Sequence, residues 1–259
     1  MKTRYLLLLM VAAAALFIAS APLRASETDD RIESSAKQSY VFKTYLKNDA
    51  IKIESKDGAV TLTGTVAKES HETLAADTVA GLPGVKSVEN RLEIKGKRPA
   101  KNSDAWLTTK VKTALLLHRN VSASNTKVSI KEGHVTLRGK ASSEAQKELT
   151  TEYVREIEGV KDVRNKMTVA KNLKTSGATV GEDIDDASIT AQVKMTLLFH
   201  RSTSASDTKV KTNGGVVTLE GIAQNGAEKD LAAKLVSDIH GVKSVVNNMT
   251  LDESMPKRN

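Results

Sequence analysis

Five basic residues in the middle third of the chain are spaced so that they could bind an anion together. They fall in three short segments of alternating polar and apolar residues, and are Lys127, Lys131, Arg138, Arg164 and Lys166. Successive side chains of a β-strand point to opposite faces of the sheet. The apolar residues between the cations, such as Val128 and Leu137, would then point into the core. The spacing therefore predicts a cationic open face on a small sheet.

An anionic phospholipid surface is the partner that such a face would suit. Each Lys or Arg near an anionic membrane contributes about 1 kcal/mol, and salt screens the attraction. Five cations would therefore support weak, salt-sensitive, peripheral attachment. The alternative is a face that is only solvated, or that packs on acidic side chains of a neighbouring domain. Trp106, the only tryptophan, is a further candidate, either as an interfacial anchor or as half-buried packing against a linker or another domain.

No residue pattern indicates catalysis or metal binding. Gly133 to Gly139 followed by Lys140 resembles a phosphate loop in letters, but its spacing differs and it lies on a predicted hairpin. Cysteine is absent, and no two of the five histidines are spaced as metal ligands on one helix. We therefore expect no enzyme activity, cofactor, metal or small-molecule substrate. His118 and His200 occupy equivalent positions, which predicts a shared role at a helix end, where a partly protonated imidazole suits the helix dipole.

The five cations belong to the second of three sequence repeats. Each repeat has a turn glycine, an alternating strand, a second glycine six residues later and a Gly-Val-Lys ending. Gly64 to Gly139 spans 75 positions, as does Gly84 to Gly159, which shows that the landmarks share one register. Nine glycines are predicted to be structural, because they allow backbone conformations closed to other residues: Gly58, Gly64, Gly84, Gly133, Gly139, Gly159, Gly215, Gly221 and Gly241.

Each repeat predicts an α-β-β-α-β domain, with two helices packed on one face of a small three-stranded mixed sheet. The predicted domains are residues 29–96, 104–170 and 185–252, and linkers rich in polar residues separate them. The class is α+β. In the first repeat, Phe42-Lys43-Thr44 is aligned with Val111-Lys112-Thr113. This alignment puts Ser35 at the helix start and leaves the repeat six residues shorter before its hairpin than the other two.

The first 25 residues have the pattern of a secretory signal peptide. Lys2 and Arg4 precede an apolar run that ends near Ala21, and cleavage is predicted after Ala25. An uncleaved membrane anchor is the alternative. Export to a bacterial periplasm fits a chain without cysteine and argues against a nucleic-acid partner. Without residues 1–25 the net charge falls from +8 to +5, and residues 104–172 alone hold 13 basic and 8 acidic residues.

The repeats resemble the BON family, the small domains of bacterial envelope and osmotic-stress proteins. The resemblance rests on an Asp-x-x-Ile/Leu-x-x-x-Val-Lys start (from Asp104 and Asp186), a Gly-x-Val-x-Leu-x-Gly hairpin, and a Gly-Val-x-x-Val-x-Asn ending that starts at Gly84, Gly159 and Gly241. It implies an αββαβ fold, a periplasmic location, no known catalysis, and a role at phospholipid surfaces or in protecting the envelope under stress. An array of protein-interaction or chaperone-like modules that holds envelope proteins is the other interpretation.

Overall fold

The computed structural model describes residues 21–170, 183–203 and 205–252, so most of the predicted leader, residues 1–20, lies outside it. The helices are α1 (Ala21–Gln38), α2 (Tyr40–Thr44), α3 (Glu69–Ala80), α4 (Asp104–Leu117), α5 (Glu144–Arg155), α6 (Asp186–Phe199) and α7 (Gly226–Ser237). The strands are β1 (Ala50–Lys56), β2 (Ala59–Val66), β3 (Ser87–Ile94), β4 (Thr126–Lys131), β5 (His134–Ala141), β6 (Asp162–Val169), β7 (Thr208–Asn213), β8 (Val216–Ala223), β9 (Ser244–Asn247) and β10 (Thr250–Leu251).

The three domains share one sheet topology, which confirms the predicted α+β class. Each hairpin is antiparallel, and the last strand of the domain pairs in parallel with the second strand of the hairpin. The strand orders are β1-β2-β3 and β4-β5-β6, while in the third domain β8 lies between β7 and the two short strands β9 and β10. The second hairpin strand is therefore the central strand of every sheet.

Alternation along the central strands builds the three cores. In the middle domain Val135 and Leu137 are at most 1% exposed, whereas Arg138 next to them is exposed. The same two positions of β2 and β8 are buried to the same extent. Both helices of each domain cover this apolar face, and the opposite face is left open. All nine predicted glycines have a positive φ, including those at each tight hairpin turn.

An aspartate at the same position of each repeat ties the first helix to the hairpin turn. Asp104 accepts hydrogen bonds from the backbone N–H groups of Glu132 (2.7 Å) and Gly133 (3.0 Å). Asp186 accepts the same pair from Gly214 and Gly215 at 2.7 and 2.8 Å. These turn amides have no partner within the hairpin ladder, so the carboxylate satisfies donors that the strands leave free.

Asp29 makes the same contacts in the first domain, so the predicted alignment of the first helix is wrong. Its carboxylate accepts from the backbone N–H groups of Asp57 (2.7 Å) and Gly58 (2.9 Å) and from the Ser55 hydroxyl. The Ser55 hydrogen bond, followed by that from Gly58, lowers the pKa of Asp29 below its usual value. Ile32 then takes the place of Leu107, and no residues are missing before the hairpin. In the sequence, Asp29, Ile32 and Lys37 match the Asp, Ile/Leu and Lys positions of the motif that starts the other two repeats.

The first helix of the first domain ends earlier than its counterparts because the third domain contacts it. After Gln38 the chain bends at Ser39 and restarts as the short helix α2. Backbone N–H groups at the start of α2 donate to the third domain, from Tyr40 to the Asp185 carboxylate (2.8 Å) and from Val41 to the Ser188 hydroxyl (3.0 Å). Tertiary contact therefore decides where this helix ends.

The three domains pack against each other. Helix α3 of the first domain lies against α6 of the third. Lys194 pairs with Asp77 across this contact at 3.3 Å. Gly81 allows the close approach, because a Cβ there would lie 3.2 Å from the Cβ of Ala187. Helix α6 also contacts α4 of the second domain and so lies against both other domains.

Candidate functional site

The structure brings the five predicted cations together on the open face of the middle sheet. Lys127 lies opposite Arg138, and Arg138 lies opposite Lys166, so these three form one row across the sheet. Arg164 lies opposite Thr136, and Lys131 occupies the edge nearest the hairpin turn. All five side chains are exposed. We call this surface the cationic face (Lys127, Lys131, Arg138, Arg164 and Lys166).

None of the five cations of the cationic face is paired within the described part of the chain, whereas the open faces of the other two domains contain ion pairs. Among the described residues, no carboxylate oxygen lies within 4.0 Å of a charged nitrogen of the five cations. On the first domain's open face, by contrast, Lys52 pairs with Glu54 at 2.5 Å and Arg91 with Glu89 at 2.7 Å. In the third domain Lys211 pairs with Glu220 at 3.4 Å. The excess positive charge is therefore concentrated on one sheet face of the middle domain.

Trp106 lies away from the cationic face. It belongs to α4, which covers the opposite side of the sheet. Its indole Nε1 donates to the Glu69 carboxylate of the first domain at 3.1 Å, and the Lys110 ammonium lies 5.0 Å from the ring centroid. The half-buried indole therefore packs at the contact between the first two domains, and the structure does not place it on one surface with the five cations.

The second and third domains meet through two equivalent, reciprocal contacts. His118, after α4, forms a β-bridge with Ile239, and His200, after α6, forms the same bridge with Ile157. Backbone hydrogen bonds follow the same exchange, from Arg119 N–H to the Asp238 carbonyl and from Arg201 N–H to the Glu156 carbonyl, both 3.0 Å. This is the contact expected of two copies related by a local twofold axis. We call it the histidine seam (His118, Ile157, His200 and Ile239).

The two histidines lie in the centre of this seam. Their ring centroids are 6.2 Å apart, and His118 stacks on Tyr153 at 3.9 Å. The Tyr153 hydroxyl donates to the Asp238 carboxylate at 2.6 Å, and its burial together with that carboxylate raises its pKa.

The predicted charge of the histidines is wrong for His200. Only 3% of its surface is exposed, and burial, reinforced by the nearby His118, Lys110 and Arg201, lowers its pKa to about 3. The imidazole is therefore neutral at physiological pH and stabilises the seam by packing. Its place at a helix end, shared with His118, is as predicted.

Two arginines complete the seam, and sequence reasoning did not assign them a role. Arg201 donates through its guanidinium to the backbone carbonyls of Arg155, Ile157 (3.2 Å) and Val160 (2.7 Å) at the end of α5. Arg119 makes the equivalent contacts with the carbonyls of Ser237, the last residue of α7, and of Val242. A cation suits the free carbonyls at a helix C-terminus. The sequence feature that could have indicated this role is that each arginine directly follows one of the two aligned histidines.

Replacing Arg201 by Ala is expected to destabilise the contact between the second and third domains by about 1–2 kcal/mol. The change leaves carbonyl groups at the end of α5 without their charged donor. Urea unfolding followed by circular dichroism measures the effect. Lys209→Ala, which removes an exposed cation of the third domain's open face, is the matched control and should change stability by less than about 0.5 kcal/mol. Equal effects of the two changes would contradict this role.

Comparison with known proteins agrees with this domain structure. A family model described as the BON domain matches residues 28–96, 103–171 and 185–253. The chain belongs to the BON family. The three matched ranges have equal lengths, which agrees with the position of Asp29 as the counterpart of Asp104 and Asp186. The resemblance inferred from the sequence is therefore confirmed.

Named relatives of this BON protein include envelope and stress proteins. It is 33% identical over 148 residues to the osmotically-inducible protein Y of Escherichia coli (strain K12), a match that covers 56% of this chain and 71% of that protein. It is 31% identical over 145 residues to the outer membrane lipoprotein DolP of Haemophilus influenzae, covering 55% and 72%. A 21 kDa hemolysin of Actinobacillus pleuropneumoniae is 33% identical over 121 residues, covering 46% and 62%.

Two features are absent from residues 21–170, 183–203 and 205–252 of this BON protein. None of its helices in these ranges is both long and apolar enough to cross a membrane. Within the same ranges, no three His, Asp or Glu side chains are grouped so that they could hold a metal ion.

Proposed function

We propose that this BON protein is a non-enzymatic protein of the periplasm that protects the cell envelope under osmotic stress. In this proposal its middle domain associates peripherally with anionic phospholipid. The names of two relatives, an osmotically-inducible protein and an outer membrane lipoprotein, support the envelope and stress setting. The predicted leader, residues 1–25 with cleavage after Ala25, supports export.

The unpaired cationic face is the observation that carries the lipid proposal. Neighbouring strands lie about 4.8 Å apart, so the row Lys127–Arg138–Lys166 places three charges about 10 Å across. A plane of phosphate groups can contact a flat array of cations on this scale, whereas it could not reach cations inside a deep pocket. Because each cation contributes about 1 kcal/mol, the five together give reversible binding that salt weakens.

Co-sedimentation with vesicles tests the proposal. Vesicles rich in phosphatidylglycerol are expected to bind the protein at low salt and release it at high salt, whereas phosphatidylcholine vesicles do not bind it. Changing Lys127, Lys131, Arg138, Arg164 and Lys166 together to Gln is expected to weaken binding at least about tenfold, because several kcal/mol of attraction are lost.

The matched control removes the same charge from the open faces of the other two domains. It changes Lys52, Lys56, Arg91, Lys209 and Lys211 to Gln, and anionic vesicles should bind this variant nearly as well as the wild type. Equal losses in both variants would show that net charge alone matters. Unchanged binding in the first variant would reject the cationic face.

A protein-interaction role is the second candidate, and the third domain supports it. Its open sheet face carries exposed apolar residues where the middle domain has cations, and these include Val246 and Ile222, which are 43% and 54% exposed. Such a surface suits a partner polypeptide better than a headgroup plane. Absence of vesicle binding at both salt concentrations would favour this role over the lipid proposal.

A further inference from the structure

A cleft of about 700 Å³ opens where all three domains and the first linker meet. The start of α3 lines it from the first domain, α4 from the second and the end of α6 from the third, and residues 97–102 of the linker form one rim. Its volume lies within the range of roughly 300–1,000 Å³ that is usual for small-molecule sites. The cleft is on the helical side of the middle domain and is separate from the cationic face.

The polar part of the cleft is strongly cationic. The basic residues that line it outnumber the acidic ones, Glu69 and Glu158, and are Lys68, Lys95, Lys97, Arg98, Lys101 and Lys110. Both acids are already paired, Glu69 with Arg98 at 3.5 Å and Glu158 with Lys110 at 3.1 Å. Among the described residues, the other four lysines have no carboxylate within 4.0 Å. The cleft therefore has an uncompensated positive charge.

Lys68 is half-buried, whereas the other three unpaired lysines of the cleft are exposed. Its burial, together with the nearby Lys112, lowers its pKa, and the nearby Asp49 opposes this shift. Lys68 occupies the position before a helix where the sibling domains have Ser143 and Asn225, each of which caps its helix through a side-chain oxygen. Lys68 provides no such cap. An ammonium ion in this place is costly unless a negative group lies beside it.

The remaining part of the cleft is apolar. Leu198, Phe199 and the Trp106 ring line it, and Leu198 is 54% exposed even though it lies among three domains. Large apolar side chains that remain exposed beside charged rims are typical of ligand-binding grooves. The lining of the cleft thus has a cationic part and a water-accessible apolar part.

We propose that this cleft binds a single molecule of a fatty acid with an acyl chain of about 12 carbons. Its carboxylate pairs with Lys68, Lys97 and Lys101, and its acyl chain covers Leu198 and the Trp106 ring. This site takes one dissolved anionic amphiphile, whereas the cationic face contacts a membrane plane, so the two proposals are independent. An amphiphile fits better than a fully polar anion because phosphate alone would leave Leu198 in water.

Equilibrium dialysis with radiolabelled dodecanoate below its micelle concentration tests the site. One molecule is expected to bind per chain, and more weakly as salt rises, since salt screens the carboxylate contact. Dodecyl maltoside and inorganic phosphate are expected not to compete at equal concentration. The first has the alkyl chain without the negative charge, and the second has the charge without the chain. Fluorescence of Trp106, the chain's one tryptophan, should change with the same affinity.

Three variants separate this site from the rest of the protein. Changing Lys68, Lys97 and Lys101 together to Gln is expected to weaken dodecanoate binding about tenfold, and Leu198→Ser about fivefold. Changing Lys127, Lys131 and Lys166 to Gln removes the same charge from the cationic face and should leave dodecanoate binding unchanged while it weakens vesicle binding. No saturable binding by the wild type, or equal weakening in both triple variants, would overturn the proposal.

Discussion

Lowering the pH from 7.5 to 5 is expected to destabilise the folded protein by about 2 kcal/mol through His200 alone. Its folded pKa of about 3 lies far below the unfolded value of about 6.5. Above pH 6.5 the imidazole is neutral in both states and does not affect stability. As the pH falls below 6.5, the unfolded chain binds a proton that the folded chain cannot, so stability decreases until about pH 3.

The charges around His200 explain why the proton is excluded. Lys110 and Arg201 are cations close to the ring, and His118 faces it across the seam. Asp238 is the acid of this region; one of its carboxylate oxygens lies 3.5 Å from His118 Nδ1 and accepts the hydrogen bond from the Tyr153 hydroxyl. His240, whose pKa burial also lowers, adds to the same trend. Protonation of His200 therefore adds a positive charge beside Lys110 and Arg201 in a buried position.

Urea unfolding at a series of pH values, followed by circular dichroism, measures this effect. Between pH 6.5 and 5, the free energy of unfolding of the variant His200→Leu should fall less steeply with pH than that of the wild type. The part of the slope that His240 contributes should remain. His134→Gln alters an exposed histidine at the start of the central strand β5, away from the histidine seam, and is the control that should keep the wild-type slope. The same slope in wild type and His200→Leu would show that the seam is not the source.

Replacing Gly221 by Ala is expected to destabilise the third domain by about 3 kcal/mol. Gly221 lies in β8 with φ +130, a conformation that residues with a Cβ rarely adopt. A Cβ there would also overlap the backbone carbonyl oxygen of Asp207, which directly precedes the neighbouring strand β7. Backbone strain and this overlap act together, because neither the central strand nor its partner can move without breaking the ladder.

Gly226→Ala is the matched control for this change. Gly226 is the first residue of α7, and nothing lies within 4 Å of the position that its Cβ would take. Its replacement should change stability by less than about 1 kcal/mol, since Ala favours a helix over Gly. Thermal and urea unfolding of Gly221→Ala and Gly226→Ala measure the two effects side by side. Equal stability of the two variants would contradict the steric argument.

The sequence by itself determined the three domains, their strand order and the cationic face. These features follow from short-range patterns: turn glycines, alternation with a period of two, and helix caps within a few residues. Lys127 and Arg138, for example, could be placed on one face because they lie in two strands of one tight hairpin. The register of the first helix is equally local, but the likeness of Phe42-Lys43-Thr44 to Val111-Lys112-Thr113 favoured an alignment in which Asp29 is not the counterpart of Asp104.

Only the tertiary structure decided how the domains meet. The contact of Arg201 with α5 joins residues more than 40 positions apart, and that of Tyr40 with Asp185 joins residues 145 apart. No periodicity links such partners, because each domain satisfies its own core and turns without them. The neutral state of His200, the position of Trp106 and the cleft beside Lys68 all depend on this packing. They follow from burial between domains, which a single repeat of the sequence does not contain.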